Sequence, residues 1–163
     1  MYKRQVRESV SFILYLIVIV VLTFLMIRYV GQRTRVDGSS MENTLTNGDN
    51  LIVDKISYRF HEPERFDIIV FPYQYKEDTY FIKRIIGMPG ETVQITDKGE
   101  ILINGEELVE SYGREVIKDP GLASDPITLG EDEYFVMGDN RNYSKDSRFP
   151  DVLSLIHISE PTR

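Results

Sequence analysis

The sequence contains no cysteine and only two histidines, His61 and His157, far apart along the chain. Without cysteine there is neither a disulfide framework nor a thiolate metal site. With two distant histidines, a zinc site or a Ser-His-Asp triad is hard to build. Any hydrolase made from this chain must find its base elsewhere, and no metal and no cofactor is expected. Repeats, heptads and low-complexity tracts are also missing. The 163 residues suffice for one domain with a modest core and not for two.

Charge is divided unevenly. Residues 1–35 carry six Lys/Arg against one acid, a net of +5, while residues 36–163 carry thirteen against twenty-five, a net of −12. The basic end suits anionic lipid headgroups, and the acidic remainder argues against a nucleic-acid partner. Solubility alone accounts for most of that acidity.

From Val10 to Ile27 there is no charged residue. At ~1.5 Å per residue the run measures ~27 Å, close to the ~30 Å hydrocarbon thickness of a bilayer. Tyr15 and Tyr29 lie near its ends, where interfacial aromatics belong. A cleaved export signal has a shorter apolar stretch, ~7–15 residues, followed by small residues. Here Met26-Ile27-Arg28-Tyr29-Val30 is bulky and charged, so an uncleaved anchor over 10–30 is expected. Its orientation is not set by charge, because Lys3, Arg4 and Arg7 on one side balance Arg28, Arg33 and Arg35 on the other.

Beyond the anchor the pattern predicts β-structure. Leu51–Val53, Asp67–Phe71 and Tyr80–Ile86 are β-rich runs, the second ended by Pro72. Gly87-Met88-Pro89-Gly90 places Pro and Gly as a type II turn needs. Thr92–Thr96 and Glu100–Ile103 flank Asp97-Lys98-Gly99 as a hairpin, and Asn104-Gly105 marks another tight turn. Tyr134–Met137 is a last strand, and Tyr112–Thr128 reads as a surface loop.

Three segments carry chemistry. Alternation in Tyr80–Ile86 puts Phe81, Lys83 and Ile85 on one face and Tyr80, Ile82, Arg84 and Ile86 on the other. A lysine set between Phe81 and Ile85 is partly desolvated, which favours its neutral amine. A neutral amine can take a proton from a serine hydroxyl. A lysine snorkelling from an edge strand fits the same residues. In Val36-Asp37-Gly38-Ser39-Ser40-Met41, small residues expose a hydroxyl beside backbone N–H groups able to form an oxyanion hole. An ordinary polar turn fits that segment equally well. Asn140–Arg148 is a hydrogen-bonding loop directly after a strand, where Asp146 and Arg148 are able to pair and Ser144 to hold an amine, or else a solvated turn.

Together these blocks resemble type I signal peptidases: Ser40, Met41, Thr44 and Leu45; then Lys-Arg-Ile-Ile-Gly-Met-Pro-Gly-Glu at 83–91; then Gly-Asp-Asn-Arg-Asn-x-Ser-x-Asp-Ser-Arg at 138–148. They stand in the family's order behind an N-terminal anchor, and Ile101-Leu102-Ile103-Asn104-Gly105 is similar too. The resemblance covers about Val10 to Val152. It implies a mainly β fold, in which one transmembrane helix precedes an antiparallel β catalytic domain of the signal-peptidase and repressor-protease kind, here lacking its C-terminal strands.

It also implies a serine endopeptidase that removes signal peptides from exported preproteins, with Ser40 as nucleophile and Lys83 as general base. Ser144 matches the serine that orients the lysine, and Asp146 and Arg148 the supporting charged pair. Val36, Met41, Phe81 and Ile82 match the pocket for small residues before the scissile bond. The implied partners are signal peptides and the lipid bilayer, with no nucleic acid and no metal. The implied topology has residues 1–9 in the cytoplasm, 10–30 in the cell membrane as a single pass, and 31–152 outside.

Two positions depart from the family. Gly38 offers no side-chain donor where some relatives have a hydroxyl, and Asn43 replaces a common proline. Residues 153–163 match nothing expected and read as foreign to the gene, so His157 receives no role. The rival reading is an inactive or misfolded truncated fragment of such an enzyme. A self-cleaving repressor of similar fold is disfavoured by the apolar run. His61 reads as a surface loop residue, and Asn142-Tyr143-Ser144 as a coincidental glycosylation triplet.

Overall fold

A computed structural model describes residues 2–73, 76–150 and 152. The unbroken apolar run winds into helix α1 (Tyr2–Tyr29). Within it, Val6–Tyr29 is long and apolar enough, by length and composition, to cross a membrane. Its Leu, Ile, Val and Phe side chains are exposed all round, an arrangement that water penalises and lipid does not.

The chain leaves α1 directly into β1 (Gly31–Arg35), which pairs antiparallel with β2 (Asn50–Asp54). A bond from the Lys55 N–H to the Val30 carbonyl, 2.9 Å, closes this ribbon onto the helix end. Strand β1 reads Gly-Gln-Arg-Thr-Arg and was not expected. It lacks any apolar residue, so pairing with β2 and not burial makes it a strand.

A three-stranded antiparallel sheet follows, in the order β3 (Ile68–Pro72), β4 (Tyr80–Gly87), then β9 (Phe135–Met137). Pro72 is inside β3 and not beyond its end. The second sheet has four strands in the order β7 (Glu106–Glu107), β6 (Ile101–Ile103), β5 (Thr92–Ile95), β8 (Ile127–Thr128). The expected turns are present. Gly90 has φ +77° and the Glu91 N–H bonds the Met88 carbonyl at 3.1 Å, while Asn104 and Gly105 both take positive φ, as a tight hairpin turn requires.

Strand β4 separates two cores. Its even face sends Ile86 into a cluster with Val93, Ile95, Phe135 and Met137. Its odd face sends Ile85 into a second cluster with Ile69, Phe71 and Val136, against which Phe81 packs. A strand apolar on both faces must be covered on both, and the two cations of β4 are therefore drawn inside as well.

Candidate active site

Ser40 sits in a tight turn that its neighbours build. The Glu42 N–H bonds the Ser39 carbonyl, and the Thr44 and Leu45 N–H groups both bond the Met41 carbonyl. Gly38 enters the turn with φ +112°, a backbone region that side chains disfavour. Beneath it lies Asn140, whose backbone N–H donates to the Ser40 carbonyl and whose Nδ2 donates to the Ser39 carbonyl, each at 3.0 Å. Gly138 approaches just as closely: a Cβ there would collide with the Ser40 carbonyl oxygen and with the Ser144 Oγ.

Strand β4 delivers Lys83 to this turn. Paired with Ile69 across the sheet and 3% exposed, Lys83 places its Nζ 2.9 Å from the Ser40 Oγ. The same Nζ donates to the Ile82 carbonyl at 3.0 Å and lies 5.0 Å from the centre of the Phe81 ring. Burial lowers the Lys83 pKa to about 8, against the opposing pull of Asp146 and Asp139. An amine with that pKa is about one-tenth neutral at pH 7, where an ordinary lysine is almost wholly charged.

Behind the lysine, Asp146 and Arg148 form a fully buried fork, Nε to Oδ1 at 2.8 Å and Nη2 to Oδ2 at 3.0 Å. Asp146 also accepts from the Gly138 N–H, and Arg148 donates to the carbonyls of Asp119 and Arg141. All three guanidinium nitrogens donate, which is what makes such burial tolerable. Ser144 is buried beside Gly138, yet among the described residues its Oγ has no hydrogen-bond partner. The lysine is held instead through the Ile82 carbonyl, a bond within its own strand that no side-chain pattern announces.

The four residues expected to line a pocket divide into two pairs. Val36 and Met41 are buried on either side of Ser40, and Phe81 and Ile82 are part-exposed on β4 beside Lys83.

Sequence reasoning missed a second buried pair. Arg84, one residue from the lysine and on the opposite face, grips Asp139 through Nε–Oδ1 at 2.8 Å and Nη2–Oδ2 at 2.6 Å. Thr44, four residues past Ser40, donates its Oγ1 to the same carboxylate at 2.5 Å. Arg84 also reaches the Phe66 carbonyl at 2.9 Å. A cation in an apolar strand and an acid directly after another apolar strand are the signal that would have found it, since each needs a partner once buried.

Comparison with known proteins places the chain. The model of the family described as signal peptidase, peptidase S26, matches residues 8–160, eight residues beyond Val152. A probable signal peptidase I-2 of Synechocystis sp. is 40% identical over 126 residues, covering 74% of this chain and 56% of that protein. A signal peptidase I of Leptolyngbya laminosa is 44% identical, covering 74% and 61%. The chain thus spans little more than half the length of these two relatives. A signal peptidase I P of Bacillus subtilis subsp. natto is 35% identical over 153 residues, covering 90% of this chain and 82% of that protein. Among solved structures, a signal peptidase I from Enterococcus faecalis V583 is 36% identical, covering 55% of this chain and 86% of the other, with a TM-score of 0.42. On the family match and the Bacillus relative, the chain belongs to the signal peptidase family of peptidases, S26.

Proposed function

We propose that the chain is a serine endopeptidase that cleaves signal peptides from exported preproteins, with Ser40 as nucleophile and Lys83 as general base. The observation that carries this reading is the 2.9 Å contact between the Nζ of the buried Lys83 and the Oγ of the half-buried Ser40. In the reacting state the neutral Nζ takes the Ser40 proton while the Oγ attacks the scissile carbonyl carbon. The Ser40 backbone N–H donates to the developing oxyanion. The Lys83 ammonium then protonates the departing amine, leaving an ester on Ser40. The again neutral Nζ draws a proton from water as the water oxygen attacks the ester carbon. The ammonium returns that proton to the Ser40 Oγ as the C–Oγ bond breaks, freeing the acid and restoring the enzyme.

Val36, Met41, Phe81 and Ile82 form the shallow apolar wall for small side chains before the cleaved bond, and the substrate adds to the sheet as an extended strand. Helix α1 is the membrane anchor, with its N-terminus in the cytoplasm and residues 31–152 outside. The Ile82 carbonyl holds the amine, and Asp146 and Arg148 support the loop behind it. The ready contact of nucleophile and base favours an enzyme over an inactive fragment.

The test is cleavage of a preprotein by the full chain in detergent. Ser40→Ala and Lys83→Arg are each expected to abolish it, because arginine keeps its proton and cannot act as base. Activity of the parent is expected to rise through about pH 8, following the Lys83 proton. Substantial cleavage by either variant, or a maximum near pH ~5, would overturn the assignment.

A further inference from the structure

The segment between β7 and β8, expected to be a surface loop, is tied at several points to the residues that build the site. The Arg114 N–H bonds the Asp139 carbonyl at 3.0 Å, and Glu110 pairs with the buried Arg141 at 2.8 Å. Asn142 holds the Lys118 N–H and the Val116 carbonyl. The Arg114 side chain reaches Glu42, two residues past the nucleophile, at 2.6 Å. At the centre of this strap, the half-buried Tyr112 ring lies 3.7 Å from the Arg84 guanidinium carbon and packs on Phe66 at 5.1 Å between centroids.

We propose that Tyr112 is a positioning residue for the Ser40–Lys83 pair: its ring clamps the Arg84 guanidinium onto Asp139 and so holds the strand bearing Lys83 against the turn bearing Ser40. Arg84 is covalently next to Lys83, and its carboxylate partner is shared with Thr44 of the nucleophile turn. A planar cation stacked on an aromatic face loses freedom to swing. The clamp thus acts on both halves of the dyad through one guanidinium. This inference rests on the dyad reading above.

The electrostatic consequence has a sign. The acids acting on Lys83 are Asp146, neutralised by Arg148, and Asp139, neutralised by Arg84. The nearest charges of the strap are engaged elsewhere, Glu110 with Arg141 and Arg114 with Glu42. If Arg84 swings away, Asp139 acts on Lys83 less compensated, the ammonium is favoured, and the lysine holds its proton to higher pH.

The experiment follows the Lys83 titration by NMR of its side-chain Nζ and Cε in the full chain in detergent, in parent, Tyr112→Leu and Tyr112→Phe. Tyr112→Leu is expected to raise the Lys83 pKa by about half a unit. It is also expected to lower kcat on a signal-peptide substrate roughly fivefold with KM unchanged, the size of one lost cation–π contact. Tyr112→Phe keeps the ring and is expected to match the parent in both. A Lys83 pKa unmoved by Tyr112→Leu, or shifted equally by Tyr112→Phe, overturns the clamp. A parent that titrates as described but cleaves no preprotein overturns the dyad reading instead, and the titrations alone then decide the clamp.

Discussion

Lys83 is costly for the folded chain to keep charged. Its pKa falls from the ordinary 10.5 to about 8 in the folded state. Between those values the unfolded chain binds more protons than the folded one, so this group's contribution to stability rises with pH across that window. Below about pH 8 its full cost applies, on the order of 3 kcal/mol for a group so buried. Replacing it by an apolar side chain of similar length removes that cost. Lys83→Met is therefore expected to be inactive yet to melt higher than the parent at about pH 6.5, with the gap closing as the pH approaches the ordinary lysine value. Thermal melts of both proteins across that range check this, and a lower melting point for Lys83→Met at the acidic end would contradict it.

At the scale of elements, β4 is the organising strand, because successive residues send Lys83 to Ser40 and Arg84 to Asp139. The Arg84–Asp139 fork is almost wholly buried, so removing one partner strands a charge. Arg84→Met is expected to cost roughly 3–5 kcal/mol by denaturant unfolding, and Arg84→Met with Asp139→Leu to cost markedly less. Equal losses in the single and double variants would mean that the pair matters only for packing. Much of this element was legible beforehand. Its two apolar faces, the desolvated lysine and the turn at Pro89-Gly90 all follow from residue order. The fork was not legible, because Arg84 and Asp139 lie 55 positions apart and nothing local says which acid meets which cation. The three short strands missed, β1, β7 and β8, have too few apolar residues to show a period, and exist by pairing alone. The strap reads as a loop because its order comes from residues of the Asn140–Arg148 segment and its neighbours and not from its own pattern.

For the whole molecule, an exposed apolar helix on an acidic β body makes a physical claim about surroundings. The full chain is expected to stay with the membrane pellet through an alkaline carbonate wash, whereas a Val18→Arg, Leu22→Arg variant is expected in the supernatant. Recovery of the parent chain in the supernatant would remove the anchor from the account. The arrangement of β4 bears equally on how the molecule finds its fold. A one-residue slip of that strand would exchange its faces. In the direction that carries Arg84 to the place of Lys83, Ile86 takes the place of Ile85 and Ile82 that of Phe81, while Gly87 takes the place of Ile86 and Ile85 that of Arg84. Such a slipped chain would keep the Ile85 cluster filled, leave a glycine where Ile86 belongs in the other, and present arginine in place of lysine to Ser40. What separates the two outcomes is small and local: only a guanidinium can fork onto Asp139, and only a glycine at position 87 fits against Val93, Leu129 and Phe135. Fidelity of folding in this protein thus depends on telling two adjacent cations apart.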